Sequence, residues 1–204
     1  GKPLKALAAV ATGWCGLPAV AQESPAKQVR LVLPFPPGGG SDIIARVVAQ
    51  KLTVSLGQPV IVDNRAGASG NIAAEIVAKS APDGYTLLFG NSSLSISPAV
   101  FAKLNYDPVK ELMPISMASS YPFALAAHPS LPVRNVKELV ALAKAKPDAL
   151  AYASAGAGTM SHMAMELLRL RTGDVKLQHL PYKGAAPASV SLISGETQIA
   201  FLVM

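Results

Sequence analysis

Short segments typical of β-strands alternate with segments of helical periodicity along most of the chain. The strand-type run at 29–33 is followed by a glycine-rich turn and then by apolar residues at helical spacing from 41 to 56. The same reasoning predicts strands at 59–62, 85–89, 123–127, 150–153, 175–180 and 198–203, and helices at 72–80, from Asn135 onward, at 160–171 and at 185–194. This order is typical of α/β folds in which mostly parallel sheets carry helices on both faces.

The segment 95–120 interrupts the alternation and contains Pro98, Pro108 and Pro114. Prolines spaced in this way suit a chain that passes between two folded units, so we predict two α/β lobes, 22–120 and 121–204. Half of the 204 residues are hydrophobic, and Cys15 is the only cysteine. That is enough apolar material for a core that needs no disulfide or structural metal.

Residues 1–21 have the order of a cleavable signal peptide. Lys2 and Lys5 precede an apolar stretch at 6–17, and residues 19–21 read Ala-Val-Ala. Apolar stretches of signal peptides are about 7–15 residues long, which is too short to span a bilayer. A buried N-terminal helix is the alternative, and the residues before Cys15 fit a lipid-attachment site poorly. We therefore expect export and cleavage after Ala21.

The net charge is modestly positive, because 18 Lys and Arg residues outnumber 12 Asp and Glu residues to give +6. A positive balance favours an anionic ligand. The charge is spread along the chain, and no basic run is interleaved with aromatic residues. This pattern argues against a nucleic-acid partner.

Two predicted strand-to-helix turns are rich in glycine, one in each predicted lobe. The first glycine loop is residues 37–42 (Pro-Gly-Gly-Gly-Ser-Asp), and the second is residues 154–159 (Ser-Ala-Gly-Ala-Gly-Thr). Glycine lets the backbone approach a ligand closely, and a helix N-terminus offers unpaired N–H groups to an anion. The hydroxyls of Ser154 and Thr159 add donors. Either loop alone is explained equally well as a tight connection, and neither has a Walker or dinucleotide-binding pattern.

Competing interpretations exist for several polar residues near these loops. Asp42 at a helix start is explained as well by the helix dipole as by ligand contact. His162 and Glu166 have the i, i+4 spacing of a metal pair, but no third ligand stands at a suggestive spacing, so we expect no metal or cofactor. The pattern around Ser154 lacks the first glycine of a hydrolase nucleophile elbow, which is Tyr152 here. We therefore expect that the chain is not an enzyme, and a hydrolase is the alternative.

Several motifs together resemble one receptor family. Residues 34–42 read Pro-Phe-Pro-Pro-Gly-Gly-Gly-Ser-Asp, 64–67 read Asn-Arg-Ala-Gly, and 82–88 read Pro-Asp-Gly-Tyr-Thr-Leu-Leu. Further on, 152–159 read Tyr-Ala-Ser-Ala-Gly-Ala-Gly-Thr and 179–184 read His-Leu-Pro-Tyr-Lys-Gly. In this order and spacing, the chain resembles the periplasmic receptors of tripartite tricarboxylate transporters, of the Bug or TctC type.

The resemblance implies a type II periplasmic-binding-protein fold, in which two α/β lobes close on a small carboxylate. It also implies a periplasmic monomer that passes its ligand to a membrane permease. The ligand-binding residues that it implies lie in or beside the two glycine loops, and they are Phe35, Gly38, Gly39, Asp42, Ser154, Gly156, Gly158, Thr159 and, as a weaker candidate, His162.

The sequence departs from the family pattern at three points. Ala73 stands where the family usually has glycine, and Ser97-Pro98 replaces a common Asn-Pro. The sequence also ends at Met204, within what should be the second lobe. We therefore expect an incomplete second lobe and an unstable product, and a non-functional remnant of such a receptor is the alternative to a working one.

Overall fold

The computed structural model of the protein describes residues 25–203. The predicted signal peptide lies outside this range. Two separate sheets organise the described residues, one of three strands and one of four. We call the three-stranded sheet with its helices the first lobe and the four-stranded sheet with its helices the second lobe.

The first lobe is a parallel sheet of order β2-β1-β3. Its strands are β1 (Val29–Leu33), β2 (Val60–Asn64) and β3 (Thr86–Leu88). Its helices are α1 (Gly40–Leu56), α2 (Asn71–Ala78), which follows a short 3₁₀ turn at Ala68–Gly70, and α3 (Ser93–Val100).

Helices cover both faces of the first sheet, because side chains alternate between the faces along a strand. Leu31 and Leu33 of β1 pack in one cluster with Ala45 and Ala49 of α1. Val32, between those two leucines, is fully buried, and α2 contacts β1 and β3. The parallel sheet covered on both faces, predicted from the apolar strands, is therefore present.

The second lobe is a mixed sheet of order β4-β7-β5-β6. Its parallel pairs are β5 with β6 and β5 with β7, whereas β4 runs antiparallel to β7. Its strands are β4 (Phe123–Ala127), β5 (Ala151–Ser154), β6 (Gln178–Pro181) and β7 (Ile199–Val203). Its helices are α4 (Val136–Ala145), α5 (Met160–Arg171) and α6 (Ala185–Ile193).

Strand alternation also divides the core of the second lobe. Tyr152 and Ile199, partners on β5 and β7, are fully buried in a cluster that includes residues of α4 and α5. Their neighbours Ala153 and Ala200 face the other way and pack against α6. The small alanines on that face allow α6 to approach the sheet closely, so both faces are covered.

Helix α3 was not predicted, because its sequence is rich in serine and contains Pro98. Proline lacks an N–H group and removes one helical hydrogen bond. Tertiary burial stabilises the helix instead: Ser93 and Ser97 are almost fully buried, the Ser97 hydroxyl donates to the Ser93 carbonyl at 2.8 Å, and α3 packs on α2.

Within residues 25–203, no helix is both long enough and apolar enough to cross a membrane.

Candidate functional site

A cleft of about 550 Å³ lies between the two lobes. It is bounded by the turns that follow β1, β3, β5 and β6, which all leave the carboxyl ends of their strands. Ligands of open α/β sheets sit at these ends. Both glycine loops contribute to the wall: Gly39 and Ser41 come from the first, and Ala155 and Thr159 from the second.

Three helices begin at this cleft without a side-chain cap. Gly40 and Ser41 of α1, Met160 and Ser161 of α5, and the first residues of α6, Ala185–Ala188, line the cleft. Helix α4, whose first residues do not line it, is capped in the usual way by Asn135. The first N–H groups of a helix have no intrahelical partner and carry a partial positive charge. The cleft therefore collects three sets of backbone donors suited to an anion.

The first glycine loop is held from behind by Asp42. The Asp42 carboxylate accepts hydrogen bonds from the Gly38 N–H at 3.1 Å, from the Arg46 guanidinium at 2.9 and 3.0 Å, and from the Asn64 amide at 2.9 Å. The same Asn64 amide donates to the Phe35 carbonyl at 2.9 Å. These bonds join the loop to helix α1 and strand β2.

The Asp42 carboxylate is 4% exposed, so its donors decide its ionisation. The hydrogen bond from Arg46 lowers the pKa of Asp42 to about 2, with help from Asn64 and Gly38 and against the effect of burial. The carboxylate is thus ionised, and the hydrogen bonds that it accepts fix the shape of the loop.

The second glycine loop is held by its own hydroxyls. Ser154 Oγ accepts the Gly156 N–H at 3.2 Å, and Thr159 Oγ1 donates to the Gly156 carbonyl at 2.7 Å. Ser161 Oγ accepts the Ala155 N–H at 3.1 Å. The side chains of Ser154, Thr159 and Ser161 are all at least 97% buried, at 1%, 3% and 3% exposure. These hydroxyls face inward and fix the path of the loop.

Three aromatic rings stack beneath the second glycine loop. Tyr152 and His179 are direct partners on β5 and β6, and their ring centroids lie 4.7 Å apart. His162, in the first turn of α5, stacks on His179 at 4.1 Å. His179 Nε2 and Ser154 Oγ share a hydrogen bond of 2.7 Å, and His162 Nδ1 accepts the Gly158 N–H at 3.0 Å. Each histidine thus supports one end of the loop.

Burial sets the charge of this stack. It lowers the pKa of His179 to about 4, with a further contribution from neighbouring His162, and it also lowers the pKa of His162, against the attraction of Glu166. Burial opposes ionisation of Glu166, but hydrogen bonds from Tyr152 and Arg169 outweigh it and lower the pKa of that carboxyl. At neutral pH both imidazoles are therefore neutral, and the neighbouring Glu166 carboxyl is ionised.

The structure divides the predicted site residues into three groups. Phe35, Gly39 and Thr159 line the cleft. Gly156 lines a smaller cavity of about 230 Å³ beside it. The others lie in the loops or behind them without lining the cleft, and they are Gly38, Asp42, Ser154, Gly158 and His162.

Three further segments line the cleft but were not among the predicted site residues. Residues 90–92 follow β3, Gly184 precedes α6, and residues 116–121 precede β4. Lys183-Gly184 at the end of a predicted strand was a signal for the second, because it repeats the glycine before a helix start seen in both other loops. No comparable signal marked 90–92, since α3 itself was not predicted.

The lobes touch beside the cleft at glycines of the second lobe. A Cβ atom at Gly156 would lie 2.7 Å from Ser69 Oγ, and one at Gly184 would lie 3.2 Å from Pro36 Cδ. Both glycines have positive φ, 135° and 122°. The observed approach of the lobes therefore requires glycine at both positions.

None of the described residues that line the cleft carries a charged side chain. Its wall includes the apolar side chains of Phe35, Ile44, Leu88, Phe89 and Phe123, so polar interaction comes from backbone groups, hydroxyls and the amide of Asn91. Within residues 25–203 there is also no cluster of three His, Cys, Asp or Glu side chains that could hold a metal ion.

Comparison with known proteins identifies the family. The model of the tripartite tricarboxylate transporter family receptor matches residues 44–204, which is more than half of the chain. The chain belongs to this receptor family. It is 42% identical over 188 residues to Protein BugT of Bordetella pertussis, and this alignment covers 91% of the chain and 57% of BugT.

Solved structures agree with this membership. The structure described as R. palustris Rpa4515 with adipate is 36% identical with a TM-score of 0.84, and periplasmic binding protein BugD is 34% identical with a TM-score of 0.81. Each comparison covers 88% of the chain and 60% of the solved chain. The fold of this receptor-family chain is thus that of a periplasmic binding protein. The chain spans less than two thirds of the length of these relatives.

Proposed function

We propose that the chain is the ligand-capturing portion of a periplasmic receptor that binds a small dicarboxylate for a tripartite tricarboxylate transporter. The observation that carries the proposal is the convergence of three uncapped helix N-termini on one cleft without charged side chains. Backbone N–H groups at helix starts bind carboxylates without a cationic partner. The related R. palustris structure with adipate supports this ligand class.

The placement of the donors favours a ligand with two acidic ends. Helix α1 belongs to the first lobe, whereas α5 and α6 belong to the second. A ligand stabilises the closed arrangement only if it contacts both lobes. One carboxylate at each lobe satisfies this condition, and the apolar wall formed by residues such as Leu88 and Phe123 suits a hydrocarbon segment between them.

We propose that direct ligand contacts come from Phe35 and Gly39 of the first lobe and from Thr159 and its neighbours in the second. Gly38, Asp42, Ser154, Gly156, Gly158 and His162 shape the two loops from behind, as their hydrogen bonds and positive φ angles indicate.

The cellular setting is part of the same proposal. Residues 1–21 direct export, the mature protein works as a monomer in the periplasm, and the captured ligand passes to a membrane permease. Membership of the transporter receptor family and the likeness to a periplasmic binding protein support these steps.

Calorimetric titration of the full chain with adipate and with its uncharged diamide tests the proposal. The two ligands have the same length, so a difference reports the carboxylates. We expect micromolar binding of adipate and at least about 100-fold weaker binding of the diamide, since an ionised acceptor forms the stronger hydrogen bonds. Equal affinities, or no binding of any of a panel of dicarboxylates, would contradict the proposal.

One observation favours a hydrolase. Ser154 Oγ lies 2.7 Å from His179 Nε2, and a catalytic nucleophile lies at such a distance from its base. Ser154 is 1% exposed, however, and its hydroxyl already accepts the Gly156 N–H. This arrangement favours a loop support over a nucleophile. Turnover of an ester panel that Ser154→Ala abolishes would establish the hydrolase instead.

A further inference from the structure

The hydrogen bond between Gly158 and His162 exists only when the imidazole is neutral. The Gly158 N–H donates to Nδ1 of His162, so Nδ1 carries no proton and the ring proton is on Nε2. Protonation of Nδ1 would replace an acceptor by a donor that faces the N–H group of Gly158. The bond that fixes this end of the second glycine loop would then be lost.

Gly158 lies in a left-handed conformation next to the first lobe. Its φ is +78°, and a Cβ atom at this position would lie 3.4 Å from Val100 of the first lobe. Thr159, the next residue, lines the cleft and precedes the uncapped start of α5. A change at Gly158 therefore acts directly on the loop that presents donors to the ligand.

The groups around His162 determine how readily it takes up a proton. His162 Nε2 lies 3.8 Å from Glu166 Oε1, and this carboxylate favours the cation. Arg169 binds the same carboxylate at 2.9 and 3.0 Å, and Tyr152 donates to it at 2.6 Å. The ring of His179 stacks on the ring of His162, and two like charges on stacked rings repel each other, so a cation on both histidines is unfavourable. Asp174 lies beyond Arg169 and bonds its guanidinium at 3.1 Å.

We propose that His162, supported by the stacked ring of His179, is a positioning residue whose neutral form holds the second glycine loop ready for a carboxylate, so that ligand affinity falls on acidification. This inference rests on the proposed carboxylate-binding function. Burial, which disfavours the charged imidazole, keeps the loop in its binding arrangement at neutral pH.

Adipate titrations of the full chain from about pH 7.5 to about pH 5 test the proposal, because one linked proton changes affinity by at most about tenfold per pH unit. His162→Asn keeps an acceptor oxygen near the place of Nδ1 but cannot titrate. We expect the wild type to lose several-fold more affinity over this range than His162→Asn, which starts weaker. The loss that the two proteins share reports protonation of adipate, whose carboxyl groups also titrate towards pH 5. His162→Phe keeps the stack without the acceptor and should bind weakly throughout.

Glu166→Gln provides a second readout. It removes the charge that favours the His162 cation, so we expect the loss of affinity to shift to lower pH. A structural role for Glu166 alone would weaken binding without moving this midpoint.

The ligand-independent readout is the NMR titration of the wild type, in which the Gly158 amide resonance should move with the same midpoint as the His162 ring nitrogens. The proposal would be overturned if His162→Asn had the same pH profile of affinity as the wild type. It would also be overturned if the Gly158 amide resonance did not shift as His162 titrates. If adipate and other dicarboxylates do not bind at any pH, the proposed function fails, whereas the Gly158 titration still decides whether His162 controls the loop.

Discussion

Nε2 of His179 lies 2.7 Å from Oγ of Ser154, across the parallel pair β5 and β6. Ser154 ends β5 and opens the second glycine loop, whereas the half-buried His179 stacks with Tyr152 and His162. This hydrogen bond ties the start of a ligand-facing loop to the core of the sheet. The backbone donors of the loop are consequently placed by a rigid element.

The pH dependence of stability follows from His179. Its pKa in the folded protein is about 4, against 6.5 for an ordinary histidine, because burial disfavours the cation. As the pH falls below 6.5, His179 therefore binds a proton in the unfolded chain before it does so in the folded protein. We expect this contribution to the free energy of unfolding to be complete above about pH 6.5 and to be lost progressively down to about pH 4.

Urea unfolding of the wild type and His179→Gln over this range measures the effect. The variant cannot titrate, so its stability should fall less between these two pH values. Carboxyl groups such as Asp42, whose pKa is about 2, contribute mainly below this window. Identical slopes for the two proteins would contradict the assignment.

Asp42→Asn tests the support of the first glycine loop. The neutral amide cannot accept all the bonds that Gly38, Arg46 and Asn64 now donate, so we expect a loss of about 1–3 kcal/mol in the free energy of unfolding. Asp83→Asn is the matched control, because it breaks an exposed ion pair with Lys27. Urea unfolding should show no measurable change for this control. An equally small effect at Asp42 would mean that the buried network is not stabilising.

Gly156→Ala tests the contact between the lobes. The added Cβ would meet Ser69 Oγ at 2.7 Å, and φ of 135° is strained for alanine. We expect adipate affinity to fall at least about tenfold, which corresponds to about 1.4 kcal/mol. Calorimetry measures the affinity, and small-angle scattering shows whether the adipate-bound form is less compact.

Ser69→Gly in the Gly156→Ala background separates the two causes. Ser69 has φ of 56°, so glycine is acceptable there and removes the clashing hydroxyl. Recovery of affinity in the double variant identifies the interlobe contact as the cause. Failure to recover would assign the loss to backbone strain at position 156.

Asn135→Ala tests a site remote from the cleft. Asn135 Oδ1 accepts the Glu138 N–H at 3.0 Å and caps α4. Its loss should lower the free energy of unfolding by about 1 kcal/mol without changing adipate affinity. Asn135→Ser keeps an acceptor oxygen at the cap and should lose less stability than Asn135→Ala in urea unfolding. A change in affinity for Asn135→Ala would show that α4 is coupled to the cleft.

The local elements were largely predictable from the sequence. Strand β1, strand β4 and helix α5 have the predicted bounds. The Asn135 cap begins α4 and the left-handed Gly57 ends α1, both where expected. These features depend on short-range patterns of apolar spacing, capping and glycine. The glycine loops were visible for the same reason, because each combines a strand end, flexible backbone and a helix start within a few residues.

The roles of residues within the loops depended on long-range contacts. Ligand contact by Asp42 and His162 stays a prediction. The structure adds that the Asp42 carboxylate accepts hydrogen bonds from Arg46 and Asn64, and that His162 Nδ1 accepts the Gly158 N–H. The formation of α3, with its internal proline, likewise depends on packing against α2.

The sequence by itself determined the alternating α/β order, the two glycine loops and the family resemblance, because all three are local patterns along the chain. Only the tertiary structure decided that α6 adds a third helix N-terminus to the cleft, that Gly156 meets Ser69, and that the rings of Tyr152, His162 and His179 come together. Strand pairing and lobe contact bring together residues that are tens of positions apart. These long-range contacts depend on the balance of burial, hydrogen bonding and close packing over the whole fold.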